Sequence, residues 1–279
     1  MSGISNIMQG KRGLVMGVAN NRSIAWGIAK SLIQQGAEIA LSYPSEPFKK
    51  RVSSLGESIG SKLLIQCDVT ESADIDSMLS LLEEKWGTID FVVHAVAFCD
   101  KNELKGKYIN TSLDNFLNAM HISCYSFTEI TRKASNIMKA GSNVITLTYY
   151  GAKKVIPHYN VMGVCKAALE ASISYLAYDL GPKGIRVNGI SAGPVKTLAA
   201  SAIGDFNYML EWNRQNAPLR RNITIDEVGN TALFLLSNLS SGITGEIIYA
   251  DCGYHVIGMK SEDTPEPALP KRLQKVTEA

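Results

Sequence analysis

The chain of 279 residues is long enough to bury a substantial core, and it is 46% apolar and 19% charged, as an ordinary globular protein is. Its net charge of +2 and the lack of a basic tract argue against a nucleic-acid partner. No apolar run reaches the length of about 18 residues that a membrane span needs, and the N-terminus lacks the basic and apolar regions of a signal peptide.

The cysteine and histidine content indicates a reducing compartment and no metal site. The five cysteines are odd in number and widely spaced, mostly within apolar runs: Cys67, Cys99, Cys124, Cys165 and Cys252. This pattern favours buried thiols in a cytosolic protein over a disulfide framework. The four histidines are scattered, without CxxC or HxxxH spacing, so no metal is expected. We therefore expect a cytoplasmic globular protein.

Apolar runs alternate with segments of helical spacing along the chain. The predicted strands are 12–18, 38–43, 62–67, 91–97, 144–148, 187–191 and 246–250. The predicted helices are 23–35, 47–59, 73–86, a long one within 114–138, 159–178, 209–215 and 225–237. This alternation predicts a doubly wound α/β fold, a Rossmann-type domain with a seven-stranded parallel sheet and helices on both faces. We assign residues 1–258 to one domain and 259–279 to a tail whose composition is compatible with disorder.

The first strand–helix junction reads GVANNRSIAWG over residues 17–27 and is not a GxGxxG motif. Gly17 is suited to a tight turn, and Ser23 with Ile24 would open the helix. Free backbone N–H groups at such a helix N-terminus would bind a pyrophosphate. A Gly/Asn-rich turn capped by serine is also common without any ligand, so the motif alone leaves both readings open.

The other strand ends give weaker indications of a dinucleotide site. Asp68 and Val69 follow the third strand and Val96 ends the fourth, where an adenine and its ribose would lie. The alternatives are a loop-capping carboxylate for Asp68 and plain core for Val96. The second strand ends without an acid for a ribose 2′-hydroxyl, and the basic run 49–51 would suit either a 2′-phosphate or a solvated helix face. The choice between NADH and NADPH stays open on this basis.

Tyr159 and Lys166 are the most suggestive pair in the chain. If a helix begins near Tyr159, seven residues at about 100° each place both side chains on one face. A phenol beside an ammonium is a proton donor with a neighbouring positive charge, which favours the phenolate. A surface tyrosine and lysine that happen to align would show the same spacing.

Together these features resemble the short-chain dehydrogenase/reductase superfamily, and within it the bacterial NADH-dependent enoyl-acyl-carrier-protein reductases. The resemblance runs from about Lys11 to Gly253. It is carried by GVANNRSIAWGIA at 17–29, CDV at 67–69, LTYYGAKKVIPHYNVMGVCKAALEAS at 147–172, RVNGISAGPVKTLAASAIGDF at 186–206 and TGEIIYADCGY at 244–254. Typical superfamily members space the catalytic pair Tyr-x3-Lys, whereas this branch uses Tyr-x6-Lys with a second tyrosine near the preceding strand end. Those positions here are Tyr159, Lys166 and Tyr149.

The resemblance implies reduction of a trans-2-enoyl thioester on acyl carrier protein with NADH/NAD as the cofactor, the final reductive step of each type II fatty acid elongation cycle. It implies that Tyr159 donates a hydrogen bond or proton to the thioester oxygen as charge develops there. Lys166 would hold the nicotinamide ribose hydroxyls. Tyr149 would orient the thioester or shape the pocket; a strand-end aromatic that only packs is the alternative.

By the same resemblance, the segment after the sixth strand would contact the cofactor through Val195, Lys196, Thr197, Leu198 and Ala199. Thr197 would bond the pyrophosphate. Residues from about 195 to 213 would form a mobile lid over the acyl chain, although an ordinary amphipathic helix is compatible with that segment too. Cys99 would contact substrate, but nothing nearby in the sequence would activate its thiol, and a merely buried or loop cysteine is the alternative.

Two other pairs match the ordinary Tyr-x3-Lys spacing and favour a different activity. Tyr149 with Lys153, and Tyr150 with Lys154, would suggest a ketone or alcohol dehydrogenase that uses NAD(P). Both pairs lie between a strand end and Pro157, where a helix that aligns them is not expected. We therefore prefer Tyr159 with Lys166 and keep the ketone reductase as the alternative.

Members of the family are usually homotetramers. An interface between subunits would explain the apolar residues on two predicted helices, Phe116, Leu117, Leu169 and Leu176. Burial inside one domain would explain them as well. Acyl carrier protein is acidic, so its docking surface should be basic. Residues 198–213 contain no lysine or arginine, and Arg214, Arg220 and Arg221 come only afterwards. The sequence thus leaves the docking surface open.

Overall fold

The computed structural model describes residues 6–197, 200 and 205–260. Seven parallel strands form one sheet in the order β3-β2-β1-β4-β5-β6-β7. The strands are β1 (Arg12–Met16), β2 (Glu38–Tyr43), β3 (Leu63–Gln66), β4 (Ile89–His94), β5 (Met138–Thr148), β6 (Arg186–Ala192) and β7 (Ile247–Ala250). The chain winds outward from β1 to β3 and then returns to start β4 on the other side of β1. A crevice therefore opens beyond the carboxyl ends of β1 and β4, where such sheets bind ligands.

Helices cover both faces of this sheet. They are α1 (Ile24–Gln34), α2 (Glu46–Ile59), α3 (Ser72–Trp86), α4 (Leu113–Met120), α5 (Ser126–Ala134), α6 (Val161–Leu180), α7 (Phe206–Asn216) and α8 (Ile225–Leu236). One apolar core lies between the sheet and α3, α5 and α6, and a second lies between the sheet and α1, α2 and α8. Strand β4 is buried along its whole length because both of its faces are covered. The predicted doubly wound α/β fold is confirmed.

Some predicted boundaries differ from the structure. The long helix predicted within 114–138 is two α-helices joined by a π-helical turn at His121–Tyr125, and β5 begins at Met138 instead of residue 144. Helical periodicity does not distinguish an α-turn from a π-turn. The first residues of β5 after Met138 are exposed and polar or small, so they give no apolar run. Helix α6 begins at Val161, because Asn160 has a positive φ of 41°.

The proposed division of the chain stays a prediction. One sheet includes strands from Arg12 to Ala250, which is compatible with the single domain predicted for 1–258. Most of the predicted tail, 261–279, lies outside the described residues, as do 198, 199 and 201–204 of the predicted lid. In the part of the chain that is described, no helix is both long and apolar enough to cross a membrane.

Helices α1 and α8 cross at two glycines that let their backbones approach closely. A Cβ atom on Gly27 would lie 2.3 Å from the carbonyl oxygen of Ile225, and one on Gly229 would lie 2.6 Å from the carbonyl oxygen of Gly27. Beside this crossing, the Lys30 ammonium lies 2.7 Å from the Asp226 carboxylate. The pair of helices forms one wall of the second core.

We expect Gly27→Ala to lower the free energy of unfolding by about 1–3 kcal/mol, because the added methyl group must push the α8 backbone away. Chemical denaturation measures the change. Gly181→Ala is the matched control, since nothing lies within 4 Å of its Cβ position; it should change stability by less than about 0.5 kcal/mol. Equal midpoints for the two variants would contradict the close crossing.

Candidate functional site

A cavity of about 1160 Å³ opens at the carboxyl ends of the central strands. The β1–α1 turn, the segment after β4, the end of β5, the start of α6 and the segment after β6 all contribute to its walls. Of the predicted site residues, the cavity brings together Gly17, Ser23, Ile24, Val96, Cys99, Tyr149, Tyr159, Lys166, Val195 and Thr197. A cavity of this size exceeds the usual volume of a site for one drug-sized ligand.

The β1–α1 turn forms one end of the cavity. Gly17 has a φ of 93°, and a Cβ there would come within 2.0 Å of the carbonyl oxygen of Ala95, so only glycine fits. Ser23 occupies the N-cap position as predicted, but its hydroxyl does not cap the helix. It accepts hydrogen bonds from the backbone N–H groups of Ala19 at 3.1 Å and Asn20 at 3.0 Å instead. The serine therefore fixes the shape of the turn.

This arrangement leaves donors at the N-terminus of α1 without partners. Among the described residues, no acceptor bonds the backbone N–H groups of Ile24 and Ala25, and both residues line the cavity. Unbonded first-turn N–H groups and the positive end of the helix dipole attract an anionic group. The turn therefore suits a pyrophosphate.

Tyr159 is held in place by strained backbone and by glycines. Its neighbours His158 and Asn160 have positive φ values of 64° and 41°, which side-chain-bearing residues adopt at a cost of about 1–3 kcal/mol each. A Cβ on Gly151 would come within 2.5 Å of the Tyr159 ring, and one on Gly163 within 2.9 Å of the Gly151 carbonyl oxygen. The ring thus lies against a surface that only glycine provides.

The two predicted tyrosines contact each other inside the cavity. The rings of Tyr149 and Tyr159 meet edge to face with centroids 5.1 Å apart, and Tyr159 is only 7% exposed. Burial is the largest cause that raises the pKa of both phenols. The phenol of Tyr159 is therefore neutral at physiological pH, unlike the phenolate that its spacing with Lys166 favoured. A neutral phenol is a hydrogen-bond and proton donor.

Lys166 projects from the second turn of α6 and is 6% exposed. Its Nζ atom donates a hydrogen bond to the carbonyl oxygen of Leu147, at 2.8 Å. Burial lowers the pKa of the ammonium to about 8, an effect that its neighbours, among them Glu170, offset in part. An ammonium has three donors, and the described residues take one of them, so two are available to a ligand in the cavity.

The structure places neither of the alternative lysines, Lys153 and Lys154, in the lining of the cavity. Lys153 Nζ lies 2.9 Å from Oε2 of Glu170, a carboxylate that is almost fully buried. The hydroxyl of Thr148 donates to Oε1 of Glu170 at 2.8 Å. Lys154 is exposed, and neither lysine lines the cavity. Lys153 thus neutralises a buried carboxylate, and the Tyr-x3-Lys spacings do not form a site in the cavity.

Three predicted cofactor residues do not line the cavity. Asp68 accepts hydrogen bonds from the backbone and hydroxyl of Thr70, at 2.9 and 2.8 Å, as a loop-capping carboxylate does. Val69 is buried, and Lys196 is exposed beside the lining residue Val195. Asp68 and Val69 still follow β3 at the carboxyl edge of the sheet. Leu198 and Ala199 lie outside the described residues.

Helix α2, which follows β2, carries the charges that bear on the choice of nucleotide. Lys49 lies 3.1 Å from Glu46, an ion pair on the exposed face of α2. Lys50 and Arg51 line a second, smaller cavity of about 600 Å³ together with Asn20 and Asn21 of the β1–α1 turn. These charges do not distinguish NADH from NADPH.

Several residues of the cavity were not predicted from the sequence. Leu104 and Met162 are two of them, and both are buried and pack with Tyr159. Phe206 and Met209, which fall within the predicted lid, line the cavity from α7. Met162 follows Tyr159 by less than one helical turn, a spacing that could have indicated it. Leu104 stands in a polar loop, and none of its neighbours in the sequence indicates that its side chain is buried. In the described part of the chain, no cluster of metal-ligating side chains occurs.

We expect Lys153→Gln to lower the free energy of unfolding by about 1–2 kcal/mol, because the buried Glu170 carboxylate loses its ion pair and part of that loss is screened at the half-exposed lysine. Lys154→Gln is the matched control and should stay within about 0.5 kcal/mol of the wild type. Denaturant unfolding at neutral pH compares the two variants. Equal stability would show that the Lys153–Glu170 pair contributes nothing.

Comparison with known proteins identifies the family. A family model of enoyl-(acyl-carrier-protein) reductases matches residues 17–255. The chain is 61% identical over 271 residues to enoyl-[acyl-carrier-protein] reductase [NADH] 1 of Rhizobium meliloti, a match that covers 97% of this chain and 100% of that protein. It is 55% identical over 254 residues to enoyl-[acyl-carrier-protein] reductase [NADH] FabI of Rickettsia felis, covering 91% of this chain and 98% of that protein.

Solved structures agree with the sequence comparison. The crystal structure of an Anaplasma phagocytophilum enoyl-(acyl-carrier-protein) reductase in complex with NAD is 61% identical and matches with a TM-score of 0.90, over 94% of this chain and 98% of that one. The Bacillus cereus enoyl-acyl carrier protein reductase with NADP+ and an indole naphthyridinone is 48% identical, with a TM-score of 0.89 over 91% and 99% of the two chains. The family resemblance predicted from the motifs is confirmed: this chain belongs to the enoyl-acyl-carrier-protein reductase family.

Proposed function

We propose that this chain reduces trans-2-enoyl-acyl carrier protein to acyl-acyl carrier protein with NADH, the final reductive step of each elongation cycle in type II fatty acid synthesis. The observation that carries the proposal is a neutral phenol, Tyr159, and a buried ammonium, Lys166, in one large cavity beside an anion-binding helix N-terminus. Family membership supports the same reaction.

The residues of the cavity fit a nicotinamide dinucleotide. Gly17 and the free N–H groups of Ile24 and Ala25 would receive the pyrophosphate. The two spare donors of Lys166 would bond the nicotinamide ribose hydroxyls. Val195 would line the nicotinamide end, and Thr197 would bond the pyrophosphate. When bound, NADH supplies the hydride that the β-carbon of the enoyl thioester accepts.

Tyr159 stabilises the charge that develops on the substrate. As the β-carbon is reduced, negative charge builds up on the thioester oxygen, and the phenolic O–H donates to it. Because the raised pKa keeps the phenol protonated, the donor is present at every physiological pH. Tyr149, whose ring packs against Tyr159, limits where the thioester can lie. Cys99 packs beside Tyr159, and burial raises the pKa of its thiol to about 11, so it would contact substrate as a neutral side chain.

The alternative activity, a ketone or alcohol dehydrogenase that uses NAD(P), has less support. It would need a lysine beside Tyr149 or Tyr150 in the cavity, but Lys153 is paired with Glu170, and Lys154 is exposed and does not line the cavity. Turnover of an acetoacetyl thioester without turnover of a crotonyl thioester would select that alternative.

We also infer that the protein forms a homo-oligomer, with the tetramer of its family as the expected state. Leu113 and Leu117 on α4 and Tyr175 and Tyr178 on α6 are 57% to 82% exposed, and the two helices pack side by side. Of the residues the sequence indicated, Leu117 belongs to this surface, Phe116 is half-buried, and Leu169 and Leu176 are buried in the core. Exposed aromatic and aliphatic side chains on neighbouring helices suit an interface between copies.

The compartment and partners follow from the same proposal. All five cysteines are free thiols, as a cytoplasmic enzyme requires in a reducing compartment. The partner is acyl carrier protein carrying the enoyl thioester. We propose no role for nucleic acid or membrane.

We expect Tyr159→Phe to lower kcat/KM for crotonyl-CoA by about 10²–10³, the usual cost of removing one donor from a developing oxyanion. Loss of reduced-nicotinamide absorbance measures it, with NADH and NADPH in parallel. Tyr150→Phe is the matched control, because that tyrosine does not line the cavity, and it should retain activity within about threefold. Full activity of Tyr159→Phe, or turnover of a ketone substrate alone, would overturn the assignment.

We expect the Kd for NADH to increase by about tenfold as the pH rises from 7 to 9.5, because Lys166 loses its charge around its pKa of about 8. The charged form predominates below that pKa, so binding is tight on the acid side and weakens on the alkaline side. NADH fluorescence measures the binding without turnover. Lys166→Met should bind weakly at pH 7 and show no such dependence; a variant that keeps the wild-type slope would contradict the role of Lys166.

A further inference from the structure

The loop between β4 and α4 forms the rim of the cavity nearest to Tyr159. We call residues 99–110 the rim loop. Its Leu104 is buried and packs with Tyr159 and Met162. The side-chain amide of Asn160 donates to the backbone carbonyl oxygens of Glu103 and Gly106, at 3.0 and 3.3 Å. The inner side of the rim loop is therefore fixed to the segment that carries the catalytic candidate.

The outer side of the rim loop presents unpaired positive charge. Lys101, Lys105 and Lys107 are all exposed, and Lys101 also lines the cavity. Among the described residues, no carboxylate lies within ion-pair distance of these three ammonium groups; the ion pairs of the structure lie elsewhere. Tyr108 and Ile109 follow the lysines and are 48% and 84% exposed.

The carboxylates of the same loop are used for internal hydrogen bonds. Glu103 accepts from the backbone N–H and the hydroxyl of Ser112, at 3.0 and 2.6 Å, and from the amide of Asn115 at 2.9 Å. Asp100 accepts from the backbone N–H of Asn102 at 2.8 Å. Asp114 is exposed at the start of α4. The lysines, by contrast, are free to meet a partner.

The described residues that follow β6 beside the cavity offer little unpaired positive charge. Residues 198–213 contain no lysine or arginine. Arg214 on α7 is paired with Glu211, with its Nε atom 2.9 Å from the carboxylate, and Lys196 is exposed. A partner attracted by positive charge would therefore meet it mainly on the rim loop.

We propose that acyl carrier protein docks on the rim loop, with Lys101, Lys105 and Lys107 facing its acidic surface and Tyr108 and Ile109 in contact with its apolar side chains. The proposal rests on the proposed function. An acidic protein is guided to a basic patch by long-range attraction, and a mixed apolar and charged rim is typical of transient interfaces. Docking here would place the thioester arm at the mouth of the cavity, beside Tyr159.

The test compares two double charge reversals in the full-length enzyme. Lys105→Glu with Lys107→Glu changes the rim loop but no cavity-lining residue. Lys62→Glu with Lys183→Glu makes the same change in net charge at two exposed positions that precede β3 and β6. Both positions lie at the amino ends of the strands, away from the cavity at their carboxyl ends. Each variant is assayed with crotonyl-acyl carrier protein and with crotonyl-pantetheine, an uncharged substrate without the carrier. Direct binding of acyl carrier protein is measured by fluorescence anisotropy.

We expect the rim-loop variant to raise the KM and the Kd for the carrier by about tenfold or more at low salt, with kcat within about twofold and unchanged turnover of crotonyl-pantetheine. Added salt should raise the wild-type KM and reduce the difference. The control variant should behave as the wild type. An unchanged KM and Kd, an equal effect of the control, or an equal loss with crotonyl-pantetheine would overturn the docking site.

The same experiment separates this proposal from the proposed function. If the wild type turns over both thioesters and the rim-loop variant is unaffected, the proposed docking site is wrong and the proposed function stands. If the wild type turns over neither thioester, the proposed function falls, and the anisotropy comparison alone decides whether the rim loop binds the carrier.

Discussion

The constraint on which this site depends is the burial of a lysine ammonium at the carboxyl edge of a parallel sheet. Lys166 is 6% exposed, and among the described residues its ammonium has one hydrogen-bond partner, the carbonyl oxygen of Leu147. Removing an ammonium from water is costly, which is why the pKa of Lys166 falls to about 8. A ligand that accepts the two remaining donors would offset that cost. Lys166 is thus a buried ammonium with two unused hydrogen-bond donors. This explains both its lowered pKa and its capacity to bind a ligand.

The surroundings of Lys166 and Tyr159 are arranged to tolerate this burial. Glu170 follows Lys166 by about one turn of α6 and opposes the loss of its charge. The carboxylate is in turn neutralised by Lys153 and bonded by Thr148. Glycines at 151 and 163 leave room for the Tyr159 ring. Lys153 and the two glycines therefore support the pair of Tyr159 and Lys166, and they do not form an alternative catalytic pair.

Charge is distributed unevenly around the mouth of the cavity. The inside holds a neutral phenol and a lysine of lowered pKa. The rim loop carries exposed ammonium groups, whereas residues 198–213 contain no lysine or arginine. Positive charge beside the cavity is therefore concentrated on the rim loop, which Asn160 fixes to the segment that carries Tyr159.

The sequence by itself determined the fold class and the family, and it indicated ten residues that line the cavity, among them Tyr159 and Lys166. Alternating apolar runs and helical segments are enough to predict a doubly wound sheet, because burial on both faces imposes continuous apolar strands. The Gly17 turn was readable because it depends on local backbone geometry. Tyr159 lies before α6, so the predicted alignment with Lys166 on one helical face does not hold, although both residues line the cavity. What only the tertiary structure decided depends on residues distant in sequence: that Asp68 caps its own loop instead of lining the cavity, that Lys153 pairs with Glu170, and that Leu104 lies against Tyr159. Burial set the protonation of Tyr159 for the same reason, since desolvation is a property of packing and is not encoded in the spacing of residues along the chain.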